Sequence, residues 1–208
     1  MAELFAADSP PGPLADRLRP ARLEDVVGQE HLTGHDGAIG RMVAAHRLSS
    51  IILWGPPGTG KTTIARLLAD AVGLRFVAIS AVFSGVADLK KVFAEAKDHA
   101  RMGEKTLLFV DEIHRFNRAQ QDGFLPYVED GTVVLVGATT ENPSFELNAA
   151  LLSRAQVLIL NRLDAAALGA LIDRAEAIEQ RPLPLTPEAR EALIASADGD
   201  GRFLLNQA

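Results

Sequence analysis

The stretch Gly55-Pro56-Pro57-Gly58-Thr59-Gly60-Lys61-Thr62 constrains this chain more than any other. It fits G-x-x-x-x-G-K-[ST], in which a glycine-rich turn offers backbone N–H groups to phosphates while the lysine supplies positive charge to the terminal ones. Its flanks agree. Ile51-Ile52-Leu53-Trp54 before it is a short apolar run of the kind a buried parallel strand needs, and the residues from Thr63 onward carry apolar side chains at helical spacing. Strand, loop and helix together put the motif at a helix N-terminus, where unpaired N–H groups and the helix dipole both favour an anion.

From residue 51 onward short apolar runs alternate with helical patterns. Strands are expected at 51–54, 75–80, 106–111, 132–139 and 156–160, with helices at 86–100 and, despite Pro126 near its end, 118–128. This alternation predicts an α/β fold, a five-stranded parallel sheet flanked by helices, with the ligand at the carboxyl ends of the strands. A further helix is expected at 37–46. After Leu163 no strand signal returns: 164–179 is alanine-rich and helical, and Thr186-Pro187 opens another helix with a hydroxyl cap and Pro at its first position. The expected organisation is a flexible leader over 1–13, an α/β nucleotide-binding domain over 14–163 and a small helical lid over 164–208, which ends inside a helix as though cut from a longer protein.

The second informative stretch is Leu107-Leu108-Phe109-Val110-Asp111-Glu112, an apolar strand delivering two carboxylates at its end. An Asp there can hold Mg²⁺ through its waters while the Glu polarises an attacking water, so metal binding and base work are separated. Composition narrows the alternatives. The chain has no cysteine and no H-E-x-x-H among its five histidines, so any metal is expected to arrive with the nucleotide. A formal net charge of −6 argues against a surface that grips nucleic acid everywhere, though local basic patches remain open. With no signal-like N-terminus and no run of membrane-spanning length, the expected location is cytoplasmic, in association with the nucleoid.

Arg19-Pro20, Val27-Gly28-Gln29, GPPGTGKTT, FVDEIHRFN, GATTENPSFELN, LLSR and GDGR occur in the order seen in AAA+ ATPases of the clamp-loader group. The wording ISAVFSG, FVDEIHRFNRAQQDGFLPYVEDG and GATTENPSFELNAALLSRA resembles the replication-associated recombination protein A family. That resemblance implies an ATPase using ATP and Mg²⁺ at stalled or damaged replication forks. It makes Lys61 the phosphate-binding lysine, Thr62 with Asp111 the Mg²⁺-side ligands and Glu112 the catalytic base. Thr63 and the loop residues Gly55 to Gly60 would complete the phosphate cradle. Thr140, with Asn142 as helper, would position the attacking water. Arg154 would reach the terminal phosphate bound by a neighbouring copy, and Arg202 would sense nucleotide from the lid, although the second arginine usual after it is here Phe203.

The same resemblance places Arg19, Pro20, Val26, Val27 and Gly28 against adenine. It puts Ser84, Gly85, Arg115, Asn117 and Arg118 at two helix starts facing DNA phosphates, for junctions or ends without sequence preference. The solvated-face alternative holds equally for these, as for Lys90-Lys91. His114, next to the carboxylate pair, is read as packing or signalling rather than proton transfer. The implied partners are DNA, further copies of the chain and replication-fork proteins, with no membrane. Weak turnover is expected of a chain lacking a neighbour to donate Arg154. Alternatives are a clamp-loader subunit, a branch-migration motor, or a nucleotide-dependent scaffold that no longer hydrolyses.

Overall fold

The computed structural model describes residues 14–208; the expected leader over residues 1–13 lies outside the described residues. The N-terminal part contains α1 (Leu14–Arg17), a 3₁₀ turn at Leu23–Asp25, α2 (Glu30–Thr33) and α3 (Ala38–Ala44). The alternating part runs β1 (Ile51–Trp54), α4 (Lys61–Val72), β2 (Arg75–Ser80), α5 (Val86–Arg101) and β3 (Thr106–Asp111). A 3₁₀ turn at Ile113–Arg115 leads into α6 (Arg118–Asp122) and α7 (Leu125–Glu129), followed by β4 (Val133–Thr139), α8 (Pro143–Glu146), α9 (Ala149–Leu152) and β5 (Gln156–Ile159). The chain continues as α10 (Ala165–Glu179), α11 (Pro187–Ala197) and α12 (Gly201–Gln207).

The five strands form one parallel sheet in the order β2-β3-β4-β1-β5, with Trp54 opposite Thr139 and Ser80 opposite Asp111. The apolar runs alternate between its two faces, as the period of two requires. Ile51, Leu53, Leu107, Phe109, Val136 and Ala138 meet α3 and α4 on one side. Ile52, Leu108, Val110, Val133 and Leu135 meet Phe93, Phe124 and Leu151 on the other. Both faces being covered explains why these strands read as continuous apolar segments. In this order the chain leaves β1, crosses over β4 and β3 to reach β2, and returns, so the loops after β1, β3 and β4 converge on one edge.

The single helix expected over 118–128 is two. Gly123 and Phe124 close the first with hydrogen bonds to Ala119, Gln120 and Gln121, and Pro126 stands in the first turn of the second, where its missing N–H is no loss. The break lets Phe124 enter the core and stack edge-on against Phe93. Buried Gln121 ties the following segment down: its Nε2 donates to Phe116 O and Glu146 O at 2.9 and 3.1 Å, and its Oε1 accepts from Asn148 N at 2.8 Å.

A third cluster holds α10–α12 together through Leu168, Ile172, Leu204 and Leu205. Leu18 from the N-terminal part is buried in it and Leu14 packs alongside, so the start of the described chain packs on the helices that end it. No helix among the described residues is long and apolar enough to cross a membrane.

Candidate functional site

The loop between β1 and α4 is held open by its own backbone. Its first residue, Gly55, donates N–H to Thr139 O at the end of β4 (3.2 Å), and Thr59 Oγ1 donates to Pro56 O (2.9 Å). Gly58 and Gly60 both take positive φ, +68° and +96°, which a side chain adopts only under strain. Gly60 stands at the N-cap of α4 without a side chain to cap it, so the first-turn N–H groups keep their capacity for an anion.

Lys61, the first residue of α4, is 8% exposed, and its Nζ donates to Gly55 O and Pro56 O at 2.7 Å each. Burial holds its ammonium below the ordinary lysine value, against the opposing pull of Glu112 and Asp111. The charge is thus costly in the folded chain and poised to meet an anion.

These residues open into one cleft of about 1060 Å³, solvent at its mouth included. Pro57 to Thr63, Asp111, Glu112, Thr140 and Arg202 line its phosphate end, and Arg19, Pro20, Val26 and Val27 line the other. Three of the expected residues stand behind the wall. Gly55 and Pro56 reach the cleft through the carbonyls that hold Lys61, and Gly28 packs against Leu163 and Ala167. Asn142 lies outside it, capping α8 by accepting from Ser144 N at 3.0 Å.

Thr62 and Asp111 give the cleft one hydroxyl and one carboxylate, and no group of three or more His, Cys, Asp or Glu able to hold a metal occurs among the described residues. That sparse oxygen set fits Mg²⁺, which binds through one or two protein oxygens while phosphates and waters complete its shell.

Glu112 follows β3 in the left-handed region at φ +52°, a conformation costly for a residue with a side chain. Arg115 N–H to Glu112 O (2.8 Å) holds the turn. His114 lies between Glu112 and the end of β4, its Nδ1 2.9 Å from Thr139 Oγ1 and its Nε2 3.4 Å from Glu112 Oε2.

Sequence reasoning missed the far wall of the cleft. Leu163, Leu171, Arg174, Gly201 and Leu205 come from the helical part, and only the fold brings them opposite Val26 and Val27. Arg174 donates from Nη2 to Asp25 O at 2.7 Å, while its Nη1 is buried without a partner among the described residues. Asp200 caps α12 by accepting from Phe203 N (2.9 Å) and lies against Gly58, so the phosphate loop and α12 are in direct contact.

Arg154 is remote from this cleft. It pairs with Glu129 Oε1 at 2.5 Å and donates to Ala150 O at 2.8 Å. The five residues expected to face DNA follow β2 and β3, adjacent strands, so both helix starts lie at one edge of the sheet. Gly85 N–H is taken by Asp88 and Asn117 Oδ1 caps α6 by accepting from Gln120 N, while Arg115 and Arg118 are exposed. Beside them Phe83 is 89% exposed, a feature the sequence reading passed over.

A glycine-rich loop at the N-terminus of α4, a buried lysine and two carboxylates at the end of β3, one strand removed from β1 across β4, define a nucleotide-phosphate-binding ATPase fold. Residues 51–163 match the ATPase family associated with various cellular activities (AAA), and the chain belongs to that family.

Within it, the chain is 49% identical over 199 residues to replication-associated recombination protein A of Coxiella burnetii, covering 93% of this chain and 45% of that protein. It is 44% identical over 198 residues to the ATPase WRNIP1 of Dictyostelium discoideum, covering 93% of this chain and 23% of that one. The resemblance read from ISAVFSG, DEIHRFN and TTENPSFELN is borne out by these relatives. The chain spans about half the length, or less, of the curated relatives it matches. Among solved structures, a Thermotoga maritima RuvB, described as a Holliday junction branch migration motor, superposes with a TM-score of 0.72 at 29% identity, over 90% of this chain and 63% of that one.

Proposed function

We propose that this chain is the nucleotide-binding and hydrolysing part of a protein of the replication-associated recombination type, coupling ATP turnover to action on DNA at replication forks. The observation that carries the reading is the meeting, in one cleft, of the loop 57–63 with Asp111, Glu112, Thr140 and Arg202. ATP lies with its phosphates on the loop and its base between Val26-Val27 and the helices of 164–208, which act as a lid. Lys61 exchanges its two carbonyl partners for phosphate oxygens, which relieves the burial of its charge. Thr62 and Asp111 would hold Mg²⁺, which when bound neutralises charge on the phosphates. Glu112 orients and deprotonates the attacking water, with Thr140 fixing that water against the terminal phosphate.

Arg154 acts in trans. Its distance from its own cleft supports a role on a neighbouring copy, where a guanidinium offsets charge developing on the transferred phosphoryl group. Ser84, Gly85, Arg115, Asn117 and Arg118 meet the DNA backbone, supported by their shared edge. Hydrolysis is then expected to rise with DNA. ATPase measured with single strands, duplex ends and forks tests the reading, using Glu112→Gln and Arg154→Ala as controls. Both variants inactive alone and partly active when mixed is the expected result; turnover indifferent to Glu112→Gln defeats it.

A further inference from the structure

The sequence leaves packing or signalling open for His114, and its side chain, 6% exposed, spans the gap between Thr139 and Glu112. The hydrogen-bond inventory around it is directional. Thr139 Oγ1 already accepts from Glu141 N at 3.0 Å, so its single proton goes either to Glu141 O at 3.2 Å or to His114 Nδ1 at 2.9 Å. The other ring nitrogen decides between them. Nε2 faces the Glu112 carboxylate, and a lone pair there would oppose a carboxylate oxygen, whereas an N–H would donate to it. A neutral ring therefore carries its proton on Nε2, which leaves Nδ1 to accept from Thr139.

The contact to Glu112 is 3.4 Å, an electrostatic approach and not a formed hydrogen bond, so the carboxylate is guided rather than clamped and the contact is one that must close when ligand binds. Glu112 needs such guidance: its backbone is in the left-handed region and its side chain is 28% exposed. Thr139 ends β4, and the next residue, Thr140, lines the phosphate end of the cleft.

We propose that His114 is a positioning residue that carries the position of the end of β4 to the Glu112 carboxylate, through Thr139 Oγ1–H to Nδ1 and Nε2–H to Oε2. Engagement of the terminal phosphate by Thr140 thereby sets the aim of Glu112 at the attacking water. This rests on Glu112 being the base.

Two measurements test it. Long-range ¹H–¹⁵N spectra of the histidine-labelled chain are expected to show His114 as the Nε2–H tautomer, and Thr139→Val to shift it toward a tautomer mixture; an Nδ1–H ring in the unaltered chain overturns the proposal. In single-turnover ATP hydrolysis by the full-length protein, His114→Phe keeps an aromatic ring, slightly larger, and removes both nitrogens. It is expected to slow the chemical step about tenfold with ATP affinity held within about twofold. His114→Gln, which retains an N–H donor, is expected to recover most of the rate, and Thr139→Val added to His114→Phe to slow it no further. Equal losses in the Phe and Gln variants would mean packing alone and overturn it, as would an unaltered rate in His114→Phe. Failure of the base assignment shows separately, as hydrolysis unaffected by Glu112→Gln, with the tautomer result still standing on its own.

Discussion

Replacing Gly58 by Ala strikes the contact between the phosphate loop and the start of α12. The new Cβ would lie 1.8 Å from Asp200 Oδ1 and 3.0 Å from Asp200 Cα, so the carboxylate must leave. Leaving abandons the cap it gives to Phe203 N, a loss of about 1 kcal/mol. The backbone at φ +68° adds about 1–2 kcal/mol of left-handed strain. The sum is about 2–3 kcal/mol, or a fall in Tm of about 5–10 °C for a chain of this size.

Gly60→Ala supplies the control, since its Cβ would meet nothing within 4 Å and only the strain at φ +96° applies. Asp200→Ala supplies the other corner of a cycle: it costs the cap by itself, and in its background Gly58→Ala should cost only a little more than Gly60→Ala, the 3.0 Å approach to the Cα at 200 being what remains. Urea denaturation of the four proteins measures the coupling, expected near 1 kcal/mol in the relieving direction. Additivity of Gly58→Ala and Asp200→Ala within about 0.5 kcal/mol would refute the reasoning, because the two residues would then not share space.

Burial favours the neutral amine of Lys61, so the folded chain releases that proton at lower pH than the unfolded one, whose value is near 10.5. The penalty is fully present at neutral pH and is relieved as pH rises through the folded value; stability relative to Lys61→Met should climb toward pH 10.5, and parallel pH profiles in denaturant melts would contradict this. Gln29→Leu removes a fully buried side chain whose amide holds Asn161 N–H and C=O at 3.0 and 2.8 Å, both bonds partly buried, and about 1–2 kcal/mol of stability should be lost in thermal or urea melts. Arg154→Ala should leave ATP binding to the isolated chain unchanged by calorimetry while lowering turnover of the assembled protein about a thousandfold, as expected for an arginine supplied across an interface. Glu129→Gln, by releasing the Arg154 guanidinium from its 2.5 Å partner, should raise that turnover instead.

The central strands β1, β3 and β4 were legible because burial on both faces leaves unbroken apolar runs, the half-exposed edge strands β2 and β5 from their short apolar segments, and the phosphate loop because its chemistry is contiguous. What escaped depends on neighbours distant in sequence. The break at Gly123-Phe124 follows from a core that needs the Phe124 ring more than the helical period could indicate. The short α8 and α9 are marked in sequence only by the caps Asn142 and Asn148, too few residues each for a period to register. The wall formed by Leu163, Leu171, Arg174 and Leu205 reads as ordinary amphipathic helix until folding turns it toward Val26. His114 acquires its place only from Thr139, 25 residues on.

The packing of Leu14 and Leu18 against Leu204 and Leu205, with Arg17 joined to Glu179 at 2.6 Å, has a consequence in time. A ribosome delivers the sheet and its phosphate loop well before α12, so a nascent chain can assemble the half of the cleft that holds phosphates while the half that would hold the base has no wall. The packing of Leu14 and Leu18 on Leu204 and Leu205 joins residues almost the whole described length apart, and contacts of such separation form late. Tight nucleotide binding would then report that synthesis has passed α12, and ATP would stabilise chains in which α12 is in place over those in which it is not.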